Sequence, residues 1–135
     1  ILSGASAVIS QGEVQQLMLE GDLNIRRSDY RQIIQAKTAV LFAAASELGA
    51  VVSDRPALRS PMMEYGMSLG TAFQLVDDAL DYTADAKTLG KTVGDDFREG
   101  KITLPVIICI EEADANERNF WQRTMSDHEQ TPQDL

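Results

Sequence analysis

A chain of 135 residues with 44% hydrophobic and 24% charged side chains has the make-up of one soluble globular domain with a single core, not of a disordered tail. Twelve basic residues against twenty-one acidic ones leave a net charge of −9, which excludes binding that depends on neutralising a nucleic-acid backbone. The lone Cys109 can form no internal disulfide, and no Cys/His cluster has zinc-ligand spacing, so a reducing, cytoplasmic setting is expected and secretion is not.

The hydrophobic pattern repeats every 3.6 residues and nowhere alternates in twos, which predicts an all-α fold. A first helix runs from near Ile1 to Leu19 and ends at Gly21-Asp22. A second starts after Ser28 as N-cap and continues through Tyr30, Ile33, Ile34, Leu41, Ala45 and Leu48 to Gly49. A third opens with Ser60 and with Pro61 at its first position, and extends to about Tyr82. From Thr83 to Lys101 the breakers Gly90, Gly94 and Gly100 predict a long loop, a length that compact domains keep mainly for function. Thr103 and Pro105 open a short apolar helix to Ala113, and a more polar one follows over about Asn116 to Met125. The longest apolar runs, around residues 39–45 and 104–110, fall short of the roughly 18–20 residues that cross a bilayer, so no membrane span is expected. The chain opens at Ile1 without an initiator Met and closes at Leu135 in ordinary sequence. It is therefore expected to be a piece of a longer protein, and any apolar face meant for missing helices would lie open.

The third helix holds the anomaly. At about 100° per residue, Gly66, Gly70, Gln74, Asp77 and Asp81 fall within an arc of roughly 80°, with Asp78 on its shoulder. The remaining positions, Met62, Tyr65, Leu69, Ala72, Phe73, Leu75, Val76, Ala79 and Leu80, are apolar nearly all round, the pattern of an interior helix. Carboxylates in such surroundings need a compensating cation or a wet cavity, and that helix has no Lys or Arg within four residues of them. Mg²⁺ suits the pattern, since it takes hard oxygen ligands and is commonly shared between one or two carboxylates and a phosphate. A calcium-binding EF-hand does not fit, because the acids and the glycine that its loop requires are missing. The plainer alternative is a solvated acidic patch at a helix end. Gly66 and Gly70 either leave room for a ligand or let another helix pack closely.

The second helix complements the third. Lys37 lies on the apolar line between Ile34 and Leu41, with Thr38 beside it, and is read either as a snorkelling stem or as an anchor for an anion. Lys87, Lys91 and Lys101 border the glycine-rich loop and, taken alone, are ordinary surface lysines. Together with three acids they describe a site for a metal-bridged polyanion, best matched by a diphosphate.

Four stretches carry a family resemblance. Residues 73–81, Phe-Gln-Leu-Val-Asp-Asp-Ala-Leu-Asp, and 89–105, Leu-Gly-Lys-Thr-Val-Gly-Asp-Asp-Phe-Arg-Glu-Gly-Lys-Ile-Thr-Leu-Pro, resemble the second aspartate-rich motif and following loop of the trans-prenyltransferases, the polyprenyl diphosphate synthases. Lys37-Thr38 resembles that family's Lys-Thr pair, and Gly12-Glu13-Val14-Gln15-Gln16-Leu17 its Gly-Glu-x-x-Gln helix. The match spans nearly the whole chain, and its wording resembles the long-chain bacterial branch of octaprenyl, solanesyl and decaprenyl types. The resemblance implies helices around a deep central cavity, usually in a homodimer, and head-to-tail condensation of isopentenyl diphosphate onto an allylic diphosphate. It implies Mg²⁺ on Asp77, Asp78 and Asp81, with Asp77 as the first direct ligand. Lys37, Lys91 and Lys101 are implied to grip diphosphate oxygens, and Thr38, Gln74 and Gln16 to line the pocket beside the allylic cation.

The family's first aspartate-rich motif and closing helices are not in these 135 residues, so the chain is expected to be one partial domain that does not catalyse alone. Two other readings stay open. A terpene cyclase shares the metal-assisted ionisation, but the Lys-Thr pair and Gly-Lys loop favour elongation; a non-catalytic regulatory helical subunit would be marked by degraded aspartates, and all three are intact. Cys109 is expected in the core, His128 facing solvent, and Arg26-Arg27 in a surface turn.

Overall fold

The computed structural model describes residues 1–83 and 93–134, and among these there is no strand. In chain order the elements are α1 (Leu2–Met18), α2 (Arg27–Ile34), a π turn (Gln35–Ala39), α3 (Val40–Val52), a 3-10 turn (Pro56–Leu58), α4 (Arg59–Thr83), α5 (Asp95–Arg98), α6 (Leu104–Glu112), α7 (Ala115–Trp121) and a second π turn (Gln122–Ser126). The fold is all-α, as the periodicity predicts. The stretch expected as one long loop contains α5, while Lys87 and Lys91 lie outside the described residues. Contacts divide the chain into two compact units, Ile1–Met18 with Arg31–Leu75, and Leu19–Tyr30 with Val76–Leu135.

The first unit is packed through small residues. Ala5 and Gly12 of α1 are buried, as are Ala39 of the π turn and Ala43, Ala44 and Ala50 of α3. Gly66 and Gly70 of α4 serve the close approach of a second helix. A Cβ at Gly66 would stand 2.4 Å from the Phe42 carbonyl oxygen, and one at Gly70 would stand 2.6 Å from the Ala39 Cα. Beyond that glycine row α4 is not the interior helix its composition suggests. Tyr65, Leu69 and Phe73 are all exposed in this unit, because an apolar-all-round helix needs cover on several sides and the chain supplies it on one. Ser60 is not the N-cap: the 3-10 turn leads into α4 one residue earlier, and the Ser60 hydroxyl donates to Glu64 instead.

The π turn corrects the expected face of the second helix. The Val40 N–H reaches back five residues to the Gln35 carbonyl, which inserts one extra residue into the helical phase. Downstream positions shift by one: Ala39, Ala43 and Ala44 are buried, while Leu41 is 51% exposed and Ala45 is also exposed. Residues 27–52 together form a 26-residue helical run that contains an 18-residue window of mean hydropathy 1.2, long and apolar enough to cross a membrane by length and composition. Counting uninterrupted apolar runs missed this property. A third of that apolar window is buried inside the chain.

The second unit has the bulkier core, with Ile25, Tyr30, Phe97, Ile102, Val106, Ile107, Ile110 and Met125 buried. Its α2 start lies at Arg27, not after Ser28; the Asp29 carboxylate reaches back to the Arg26 N–H at 3.2 Å and closes the first turn. Thr103 is the N-cap of α6, with Pro105 in its first turn, as read from the sequence. Asp114 caps α7 through a reciprocal box with Glu117, a D-x-x-E signal legible but not used in placing that start. Cys109 is exposed and not core, because α6 turns Val106, Ile107 and Ile110 inward and leaves Cys109 on the other side. His128 is exposed as expected, and so are Arg26 and Arg27, paired with Asp29 and Glu111.

Candidate functional site

In the first unit the chemistry gathers at the π turn. Lys37 donates to Gln16 Oε1 at 2.9 Å and stands 3.2 Å from Glu13 Oε1. Its side chain is 36% exposed, so it is neither a buried anchor nor a fully solvated stem. The next residue, Thr38, donates its hydroxyl to Gln74 Oε1 at 2.8 Å. Three sequence-predicted pocket residues, Lys37, Thr38 and Gln16, are thus set by one irregular turn and the helix against it, and α4 brings Gln74 to the same turn. π turns recur at functional sites because the inserted residue re-aims its neighbours.

In the second unit the three aspartates of α4 part company. Asp77 is exposed. Asp78, placed by the helical wheel on the shoulder of the stripe, is instead the buried one at 4% exposure, and accepts a short hydrogen bond from the Tyr30 hydroxyl. Asp81, half-buried, accepts from the backbone N–H of Asp95 at 3.3 Å and of Asp96 at 3.0 Å, and so holds the start of α5. Among the described residues no three His, Cys, Asp or Glu side chains converge on a point where they would hold one metal ion. Asp77 and Asp81 lie one turn apart on one face, whereas Asp78 sits about 100° round from Asp77 and is taken up by Tyr30.

The surroundings of Asp78 and Asp81 are electrostatically loaded. Burial pushes the Asp96 carboxyl above its ordinary range; Asp78 and Asp81 push it further and Lys101 opposes them. Lys101 stands 3.4 Å from Asp96 Oδ1 and also pairs with Glu99. Burial, the largest influence on that ammonium, pulls its pKa down, but Glu99 and Asp96 together outweigh it and the net shift is upward. Burial likewise raises the Tyr30 phenol, and the Asp78 carboxylate adds to the shift. Tyr82 is raised for the same first reason, then by Asp96, with Thr103 working the other way. Yet the Tyr82 hydroxyl and Thr103 Oγ1 are both buried without a partner in hydrogen-bond geometry. An open Mg²⁺ site needs only one or two protein carboxylates, and Asp77 with Asp81 offers them.

Sequence reasoning missed Glu13, Tyr30 and Asp96 as members of these two clusters. Tyr30 was legible only as an apolar-face residue, since nothing local shows that its hydroxyl meets Asp78 forty-eight positions on. Glu13 and Asp96 lay inside recognised motifs, but their partners depend on the π turn and on α5. Lys91 lies outside the described residues.

Comparison with known proteins extends over the whole chain. The family model described as polyprenyl synthetase matches residues 1–135. The all-trans-nonaprenyl-diphosphate synthase (geranyl-diphosphate specific) of Rhodobacter capsulatus is 40% identical over 124 residues, covering 92% of this chain and 38% of that protein. A solved polyprenyl synthase from Caulobacter crescentus, complexed with calcium and isoprenyl diphosphate, is 53% identical with a TM-score of 0.92, over 98% of this chain and 41% of that one. A decaprenyl diphosphate synthase structure from Rhodobacter capsulatus is 44% identical with a TM-score of 0.89, over 98% and 41%. The chain thus spans about two fifths of the length of the relatives it matches.

Proposed function

The chain belongs to the polyprenyl synthetase family, and from that premise we propose that it forms part of a prenyltransferase condensing isopentenyl diphosphate with an allylic diphosphate, head to tail. Its contribution is the second aspartate-rich motif together with the Lys-Thr turn. The observation that carries the reading is the full-length family match combined with the engagement of Lys37, Thr38, Gln74 and Gln16 around one π turn. Calcium and isoprenyl diphosphate in the Caulobacter structure support a divalent cation and a diphosphate as ligands, with Mg²⁺ as the working ion here.

In this proposal Asp77 and Asp81 would hold Mg²⁺, and Asp78 keeps α4 in place through Tyr30. When bound, the ion supplies Lewis-acid neutralisation of the departing diphosphate. By the family resemblance Lys37, Lys91 and Lys101 are each diphosphate-binding groups, and Lys101 would exchange its Asp96 and Glu99 contacts to act as one. Thr38 and Gln74, already hydrogen-bonded, set fixed oxygen dipoles beside the developing allylic cation, where preorganised dipoles lower the barrier to charge separation. Gln16 holds the Lys37 stem. The isopentenyl double bond then attacks the cation, and loss of a proton ends the cycle.

The open apolar stripe of α4 and the two-fifths span of the relatives support a partial domain, completed by a segment bearing the first aspartate-rich motif and by closing helices; the cytoplasmic homodimer is proposed from the family resemblance and the lone cysteine alone. The test is a Mg²⁺-dependent thermal shift with an allylic diphosphate. Asp77→Ala should abolish it; a shift that survives that substitution counts against the assigned ligand, and turnover by these 135 residues alone refutes the partial-domain reading.

A further inference from the structure

Lys37 is already engaged before any ligand arrives, and one of its partners is an anion. An ammonium has three donors; one goes to the neutral Gln16 amide oxygen at 2.9 Å, and Glu13 Oε1 lies 3.2 Å away. Gln16 alone would suffice to orient the stem. The Glu13 carboxylate adds a negative charge that occupies the very cation proposed to receive a diphosphate. The contact depends on Gly12. A Cβ there would lie 2.9 Å from the Ala36 Cβ and 3.0 Å from the Lys37 backbone nitrogen, so α1 runs hard against the π turn and brings Glu13 and Gln16 to the Lys37 side chain. Both ends of the ion pair stay partly open to solvent, 36% at Lys37 and 48% at Glu13, so water and a competing anion can reach it.

We infer that Glu13 is an internal counter-anion for Lys37, a positioning residue that holds the ammonium ready and is displaced when a diphosphate binds. The inference rests on the reading of Lys37 as a diphosphate anchor. Ion pairs this exposed are weak, worth about two- to fivefold in an equilibrium constant, which is what makes exchange feasible. A diphosphate carries several charges and brings its own metal, and so outcompetes one carboxylate. Gln16 is neutral and keeps its hydrogen bond throughout, so the lysine stem does not swing away when Glu13 is released.

Isothermal titration calorimetry of inorganic diphosphate with Mg²⁺ tests this on the wild-type chain and on Glu13→Gln, Lys37→Ala, the double variant and Glu64→Gln. Glu64 is a second exposed carboxylate of the same unit, bonded to Ser60. Removing its charge measures the general gain in anion affinity of a chain that carries a net −9. The expected result is Glu13→Gln binding about two- to fivefold tighter than wild type, with little change for Glu64→Gln. Lys37→Ala should bind more weakly, and the double variant should gain nothing over Lys37→Ala. A merely structural role for Glu13 would give weaker binding on its substitution, not tighter. If Glu13→Gln is unchanged or weaker while Lys37→Ala loses affinity, or if Glu64→Gln gains as much, the counter-anion inference falls and the functional reading stands. If Lys37→Ala binds as wild type does, or wild type does not bind, both fall.

Discussion

Replacing Gly66 by alanine sets two helical effects against each other on one atom. Alanine favours the helix over glycine by roughly 1 kcal/mol, so α4 would gain if nothing stood nearby. Something does: the added Cβ would lie 2.4 Å from the Phe42 carbonyl oxygen and 2.7 Å from the Ala43 Cα, inside the 3.0 Å that real Cβ atoms keep. Both obstacles are backbone, so no side chain can rotate away, and the helices must part by close to an ångström. Overpacking of this kind costs about 1–3 kcal/mol, with backbone obstruction at the upper end, which leaves a net loss of about 1–2 kcal/mol. Gly49 is the internal control. It sits within α3 with no atom in 4 Å of its would-be Cβ, so Gly49→Ala should stabilise by about 0.5–1 kcal/mol. Urea unfolding followed by far-ultraviolet circular dichroism reads both variants against wild type, and opposite signs are the expected outcome. A Gly66→Ala protein as stable as wild type would refute the close-packing argument.

Tyr30→Phe removes the hydroxyl that donates to the buried Asp78 carboxylate, and hydrogen bonds to charged groups are worth about 1.5–3 kcal/mol; chemical denaturation should show a loss in that range. Asp114→Ala removes the side-chain half of the α7 capping box, the carboxylate that accepts from the Asn116 and Glu117 N–H groups, and should cost about 1 kcal/mol by the same assay, with Asp114→Asn recovering part of it. Asp134 accepts from Arg123 at 2.7 Å and from the Thr131 N–H at 2.7 Å, and these bonds, the Arg123 side chain first, hold its carboxyl well below the ordinary value of 3.8. A depressed folded-state pKa stabilises above the unfolded value and is lost as pH falls through the folded one. The stability gap between wild type and Asp134→Asn should therefore be complete near neutral pH and close progressively below about pH 4; a gap independent of pH would show the Arg123 contact to be idle.

Helix content and the Thr103-Pro105 start were legible in the sequence, because propensity and capping are local signals; Lys37, Thr38, Gln16 and Gln74 were named only through the family resemblance, and the hydrogen bonds that join them were not foreseen. The π turn was not. A single inserted residue leaves no mark in an apolar stretch, and it moved the buried face from Leu41 and Ala45 to Ala39, Ala43 and Ala44. Burial on α4 was misjudged for another reason. Apolar periodicity says which residues want cover but not whether the chain provides it, so Leu69 and Phe73 lie open although their pattern is that of a core. Cys109 shows the same limit on α6.

The aspartates illustrate how helical geometry divides one motif between two tasks. In D-D-x-x-D the first and last acids are four residues apart, about 40° round the helix, and share a face; the second lies about 100° from the first. One helix therefore cannot aim all three at one ion without bending. Here the odd one out, Asp78, is buried against Tyr30, whose hydroxyl donates to it and helps to offset the cost of burying a carboxylate. The outward pair then has a fixed platform: α4 is held by its middle acid, Asp77 faces solvent, and Asp81 organises the Asp95–Asp96 amides at the start of α5. A motif that looks like three equivalent acids is, in this chain, a buried anchor, Asp78, flanked by an exposed Asp77 and by a half-buried Asp81 whose oxygens accept from the Asp95 and Asp96 amides.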